Sequence, residues 1–238
     1  MTYIEGFVLA VPAANKEAYR EHAAGAAPLF REFGATRFVE NWGDDVPDGK
    51  VNDLKGAVKA KDDEVVVFSW LEYPDKATRD AANQKMMSDP RMEEMGKTMP
   101  FDGMRMIFAG FEPIVEEGDG KGTGYTDGFL VPVTPEKREA YREMAAKAAV
   151  IFREHGATRV VEAWGDDVPD GKVTDYKGAV LAEKGENVVY SWIEWPSKEA
   201  RNAGWEKVMA DERMKPPAEM PFDGKRMIWG GFEPIVQA

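Results

Sequence analysis

The residues best placed to do chemistry are carboxylates set among aromatic side chains. Glu40 stands between Phe38 and Trp42 at two-residue spacing, and Glu162 stands between Val160 and Trp164. On a strand that spacing puts all three side chains on one face. Glu72 and Glu194 follow Trp70 and Trp192 by two residues, and Glu112 and Glu233 follow Phe111 and Phe232. A carboxylate on an aromatic face loses solvation, its pKa rises, and it can act as a general base near neutral pH. The competing reading is structural. The same groups would reach a barrel rim or pair with Arg37, Arg159, Arg105 or Arg226, since ion pairs perturb carboxylates as readily as active sites do. The catalytic candidates are therefore Glu40, Glu162, Glu72 and Glu194. Trp42, Trp164, Trp70 and Trp192 are candidates for lining an apolar ligand pocket, against plain core packing.

Other chemistries find less support. Of the two histidines, His22 has Met144 at the matching place in the second half of the chain, and His155 has Phe33 in the first. Neither can serve two equivalent sites, and packing is the simpler role. His155 stays a candidate for a single site. Cysteine is absent, which removes disulfides, thiolate nucleophiles and thiolate metal sites. Asp44-Asp45-x-x-Asp48-Gly49 lacks EF-hand spacing and reads as a turn pairing with Lys50, as its repeat would with Lys172. The glycines from Gly118 to Gly124 lack the Gly-Lys-Ser/Thr ending of a phosphate loop. Ser69 and Ser191 sit in no nucleophile elbow. No metal site and no cofactor are expected.

Composition narrows the partners. The net charge of −12 repels nucleic acid and anionic membrane surfaces alike. No apolar run is long enough to span a bilayer. The apolar start, Met1 to Val11, contains Glu5 and recurs as Tyr125 to Val133, so it reads as a structural element rather than a signal peptide. A cytoplasmic protein is expected, with a small-molecule ligand as the partner class.

These residues are positioned by a duplication. Gly6-Phe7 returns as Gly128-Phe129, and Glu17-Ala18-Tyr19-Arg20-Glu21 as Glu139-Ala140-Tyr141-Arg142-Glu143. The run from Trp42 to Val51 returns unchanged from Trp164 to Val173. Roughly 60% of positions agree at a period of about 120 residues, which is the size of a domain rather than of a solenoid repeat. The expected division is residues 1–115 and 125–238, joined by a Gly-rich flexible linker over 116–124.

Within each half the pattern predicts β-α-β-β-α-β. Strands are expected over Tyr3 to Val11, Thr36 to Trp42, Glu64 to Tyr73 and Arg105 to Val115, with helices over Asn15 to Phe33 and Lys76 to about Ser88. A variable, Met-containing stretch follows Ser88. The order is that of a ferredoxin-like α+β unit, an antiparallel sheet with helices on one face. The strand Val65 to Leu71 is apolar on both faces, so the open sheet face must be covered. The economical cover is the other half, giving an intramolecular pseudo-dimer with eight strands in a barrel. A further homo-oligomer is compatible with that reading.

Several motifs together closely resemble the YbaA-like family of uncharacterised bacterial proteins, the domain of unknown function 1428. They are Gly6-Phe7-Val8-Leu9, the Asp44 to Lys50 loop, Glu64 to Trp70, and Met99-Pro100-Phe101-Asp102-Gly103 with Gly110-Phe111-Glu112-Pro113. The resemblance spans each half. It implies the dimeric α+β-barrel fold, usually built from two single-unit chains and here joined in one, and a histidine at the position of His155. It implies no activity. Fold alone does not fix function. The expected function is a small-molecule binder or cofactor-free enzyme with a pocket between sheet and helices. The alternative is a non-catalytic protein whose barrel only mediates assembly.

Overall fold

Residues 2–217 and 219–238 are described by the computed structural model. The first half runs β1 (Tyr3–Pro12), α1 (Lys16–Glu32), β2 (Arg37–Asp45), one-turn α2 (Leu54–Ala57), β3 (Glu64–Tyr73), α3 (Lys76–Ser88), α4 (Pro90–Lys97) and β4 (Ile107–Gly118). The second runs β5 (Tyr125–Val133), α5 (Arg138–Glu154), β6 (Arg159–Asp167), one-turn α6 (Tyr176–Ala179), β7 (Asn187–Trp195), α7 (Lys198–Ala210) and β8 (Ile228–Gln237). The helix starts follow local chemistry. Asp75 accepts a hydrogen bond from the Thr78 amide at 2.7 Å, and Ser197 does the same for Ala200 at 3.2 Å, as N-caps do.

The eight strands close into one antiparallel barrel in the order β1-β3-β2-β8-β5-β7-β6-β4. Two seams, β2 with β8 and β4 with β6, join the halves. Register shifts occur in both seams beside Pro113 and Pro234, where a residue without an amide donor is tolerated.

Strand alternation sorts the core into layers. Phe38, Trp42, Val67 and Leu71 face outward beneath α1, and their second-half counterparts lie beneath α5. Val66, Phe68 and Trp70 face inward. There they meet the other half. Trp70 stacks on Trp192 with ring centroids 4.4 Å apart, and Phe68 stacks on Tyr190 at 4.4 Å. An eight-stranded barrel is just wide enough to be filled by side chains, and these rings fill it. The paired Gly-Phe motifs find their reason here. A Cβ on Gly6 would lie 2.9 Å from the Tyr190 ring, and one on Gly128 would lie 2.8 Å from the Phe68 ring.

Two local expectations need correction. Asp44 and Asp45 end β2 rather than forming a loop, and they do not pair with Lys50. Asp44 accepts from the Tyr125 hydroxyl at 2.8 Å and Asp45 pairs with Arg201 at 3.2 Å, both on the other half. Asp166 and Asp167 likewise meet Tyr3 and Arg79 rather than Lys172. The stretch read as a flexible linker is held along its length. Glu116 to Gly118 continue β4 against β6, Thr123 donates to Glu194 at 2.5 Å, and the Gly124 amide donates to the Trp195 carbonyl at 2.8 Å. Open ladder positions on β6 and the Glu194 carboxylate supply partners that composition could not reveal.

Candidate functional site

The candidate strand glutamates stand in two pairs, on opposite faces of the sheet. Glu72 and Glu194 continue the inward face of Trp70 and Trp192. Each accepts from the indole two residues back, at 3.0 and 2.9 Å. Each is also gripped by an arginine of the other half. Arg159 donates to Glu72 at 2.6 and 3.0 Å, and Arg37 donates to Glu194 at 2.8 and 2.6 Å. Burial works against the Glu72 charge, but the Arg159 hydrogen bonds and then the Arg159 and Arg37 charges outweigh it and hold the carboxyl below its ordinary range. These two glutamates are locked in bidentate pairs that tie the halves together, which leaves them poorly placed to take a substrate proton.

Glu40 and Glu162 face outward, beneath the long helices. Tyr19 of α1 donates its hydroxyl to Glu40 at 2.6 Å, and Tyr141 of α5 donates to Glu162 at 2.6 Å. Ser69 and Ser191, directly across the ladder on β3 and β7, add a second hydroxyl to each. Among the described residues no cation joins either set. Burial pushes both carboxyls up to about 7, with the tyrosine and serine hydrogen bonds only moderating the rise. Near neutral pH such a group is half ionised, the state in which one carboxyl can both take and give a proton.

The surroundings of the two sites differ. A cavity of about 790 Å³ opens beside Glu162. Its floor is the outer face of β5 and β7, with Phe129, Val131, Ser191 and Ile193. One wall is α5, through Tyr141, Met144, Ala145, Ala148 and Phe152, and Trp205 of α7 closes one end. The lid is the segment around Met214, Pro216, Pro217, Met220 and Phe222. Cavities of roughly 300–1,000 Å³ hold ordinary small molecules. Glu162 lines this space, whereas Glu40, 7% exposed, does not border it. Over Glu40 the corresponding segment is helix α4, and the Asn15 side chain donates to the Pro100 carbonyl at 2.8 Å, tying the chain down.

The remaining candidates fall elsewhere. Trp70 and Trp192 are inside the barrel and do not border the cavity. Trp42 and Trp164 pack on the helix side, beneath Lys16 and Arg138, and are not among the lining residues. His155 ends α5 and lies 3.1 Å from Asp211, outside the cavity. Glu112 and Glu233 are exposed on β4 and β8. Sequence reasoning missed Tyr19 and Tyr141. The available signal was a hydroxyl carried within the apolar stripe of a helix, which must find a partner when buried.

Comparisons with known proteins agree with this architecture. A family model described as Protein of unknown function (DUF1428) matches residues 2–103 and 124–224, once per half. The uncharacterised protein YbaA of Escherichia coli K12 is 68% identical over 117 residues, 49% of this chain and all of that relative. YbaA of Shigella flexneri matches to the same extent. Among solved structures, a Fusobacterium nucleatum protein provisionally described as a monooxygenase superposes with a TM-score of 0.61 at 8% identity, covering 99% of this chain and 93% of that one. An anthrone oxidase-like protein gives 0.58 at 11% identity, covering 100% and 92%. These likenesses extend over the whole barrel, and at such identities they establish a shared dimeric α+β-barrel fold.

Proposed function

We propose, for a chain that belongs to the DUF1428 family, that the second half is a small-molecule site in which Glu162 moves a proton, and that the first half is its structural counterpart. Each half is read as a ferredoxin-like unit, a reading supported by the strand order β4-β1-β3-β2 and its repeat β8-β5-β7-β6. The observation that carries the functional proposal is a carboxyl poised near 7 that opens into an apolar cavity large enough for a metabolite.

The chemistry suited to this arrangement is general acid–base catalysis without a cofactor. An ionised Glu162 takes a proton from a carbon beside a carbonyl. The C–H electron pair moves onto the carbonyl oxygen as an enolate, and the neutral Glu162 then returns a proton. The Tyr141 and Ser191 hydroxyls hold the carboxyl in place through both states. A base of pKa near 7 is matched to this work at neutral pH.

The alternative, a barrel that only mediates assembly, fits the first half, where the same three residues are covered. A screen of aromatic and carbonyl compounds separates the two. The proposal expects at least one class to raise the melting temperature and to exchange its α-proton for solvent deuterium, with exchange lost in Glu162→Gln while binding persists. A screen in which nothing stabilises the protein, or in which exchange survives Glu162→Gln, would overturn it.

A further inference from the structure

The charged side chains bordering the second-half cavity run against the sign of the molecule. The chain carries −12, yet Lys137, Lys147, Arg213 and Lys215 border the opening, with Glu143 and Glu219 beside them and Glu162 at depth. The matching first-half positions are Asn15, Gly25, Arg91 and Glu93, with Glu21 and Lys97. The half that has the cavity therefore carries two lysines, Lys147 and Lys215, where the other half has Gly25 and Glu93.

Not all of these cations are engaged. Lys137 pairs with Glu219 at 2.9 Å, and Arg213 is held by Asp211 and Glu154 at 2.7 and 2.6 Å. Lys215 has only a loose contact with Glu212 at 3.5 Å, with both side chains largely in water. Lys147 is exposed on α5, and among the described residues it enters no ion pair. Behind this rim the walls are apolar, with Met144, Met220, Phe222 and Trp205. Methionine-rich walls adapt to ligands of irregular shape.

We infer that the cavity takes an amphipathic anion, a compact aromatic or branched aliphatic body whose single acidic group is held at the rim by Lys147 and Lys215. This inference rests on the second half being a ligand site. It adds that the acidic group stays at the mouth while the carbon skeleton reaches Glu162. The arrangement is electrostatically consistent: a buried carboxyl at depth tolerates an apolar neighbour, whereas a second anion beside it would be repelled.

Two fluorescent probes of nearly the same shape test both layers on the full chain. One is 8-anilinonaphthalene-1-sulfonate; the other, N-phenyl-1-naphthylamine, lacks its sulfonate. The anionic probe should bind more tightly, weaken with added salt, and lose on the order of tenfold affinity in Lys147→Glu with Lys215→Glu, the scale expected of two reversed exposed charges. The neutral probe should be unaffected by either change. The milder pair Lys147→Met with Lys215→Met should lower anionic binding about threefold. Equal affinities, indifferent to salt and to both pairs, would overturn the anion inference while leaving the cavity as a ligand site. Failure of both probes to bind would overturn the ligand-site reading itself.

Discussion

The two halves hold the same three residues in the same geometry and cover them differently. Tyr19, Glu40 and Ser69 repeat as Tyr141, Glu162 and Ser191, with the tyrosine–carboxyl distance at 2.6 Å in both. Over the first lies α4, started by the Asp89 side chain accepting from the Arg91 amide and by Pro90 in the first helical turn. Over the second, Glu94 and Met95 are replaced by Pro216 and Pro217. Proline in a helix interior removes an amide donor and clashes with the preceding turn, so the segment stops as a single 3₁₀ turn at Glu212–Met214. The comparison teaches that a catalytic-looking carboxyl is set by strand and helix packing, while its access is set by a separate short segment that two proline substitutions can remodel.

The largest expected effect tests whether the halves can be compared as parts of one body. Trp192→Ala empties the shared centre of the barrel and should cost about 3–5 kcal/mol in urea unfolding, with a single transition. Two separated transitions would mean that the halves stand independently, and the comparison would have to be rebuilt. Next comes the lid. Glu94→Pro with Met95→Pro should break α4 at a cost of about 3 kcal/mol and expose Glu40, raising the stoichiometry of N-phenyl-1-naphthylamine from one to two. A stoichiometry that stays at one would show that the lid does not account for the difference.

The smallest effect sharpens the contrast in solvent access. Glu40 titrates at about 7 in the folded chain, against 4.5 for a glutamate in water, so between those values the folded chain keeps a proton that the unfolded chain has lost. Stability from this group is therefore present at low pH, falls as pH rises through that window, and is flat above it. Glu40→Gln should remove the loss and stabilise the protein by about 2–3 kcal/mol above pH 7. Glu162→Gln should gain about as much, because burial raises both carboxyls to about 7. Melting curves at several pH values read both. A clearly smaller gain for Glu162→Gln would mean that the cavity wets its carboxylate.

Much of this architecture was legible because its signals are local. The β3 strand and the α3 helix fall where the Val-rich run and the Asp75 cap place them. The Asp89-Pro90 start of α4 was equally local but lay in the variable, Met-containing stretch after Ser88. The site was harder. Both faces of β3 are apolar, so alternation grouped Trp70 with Glu72 and Glu40 with Trp42 but could not say that the first pair points into the barrel and the second beneath a helix. Parity fixes companions, not sides. The partners of Glu72, Glu194, Asp44 and Asp166 all lie on the other half, beyond any sequence window. The cavity depends on how one lid segment packs, which is a tertiary outcome.

The passage from β4 through Thr123 into β5 does more than close a barrel. Two identical chains meeting as a homodimer must build both of their sites from one set of codons, so a change that opens one pocket opens the other. With the two partners written in series, a substitution touches one member alone. One unit can keep its interior shut and lend rigidity, while its sibling is free to drift toward a particular guest.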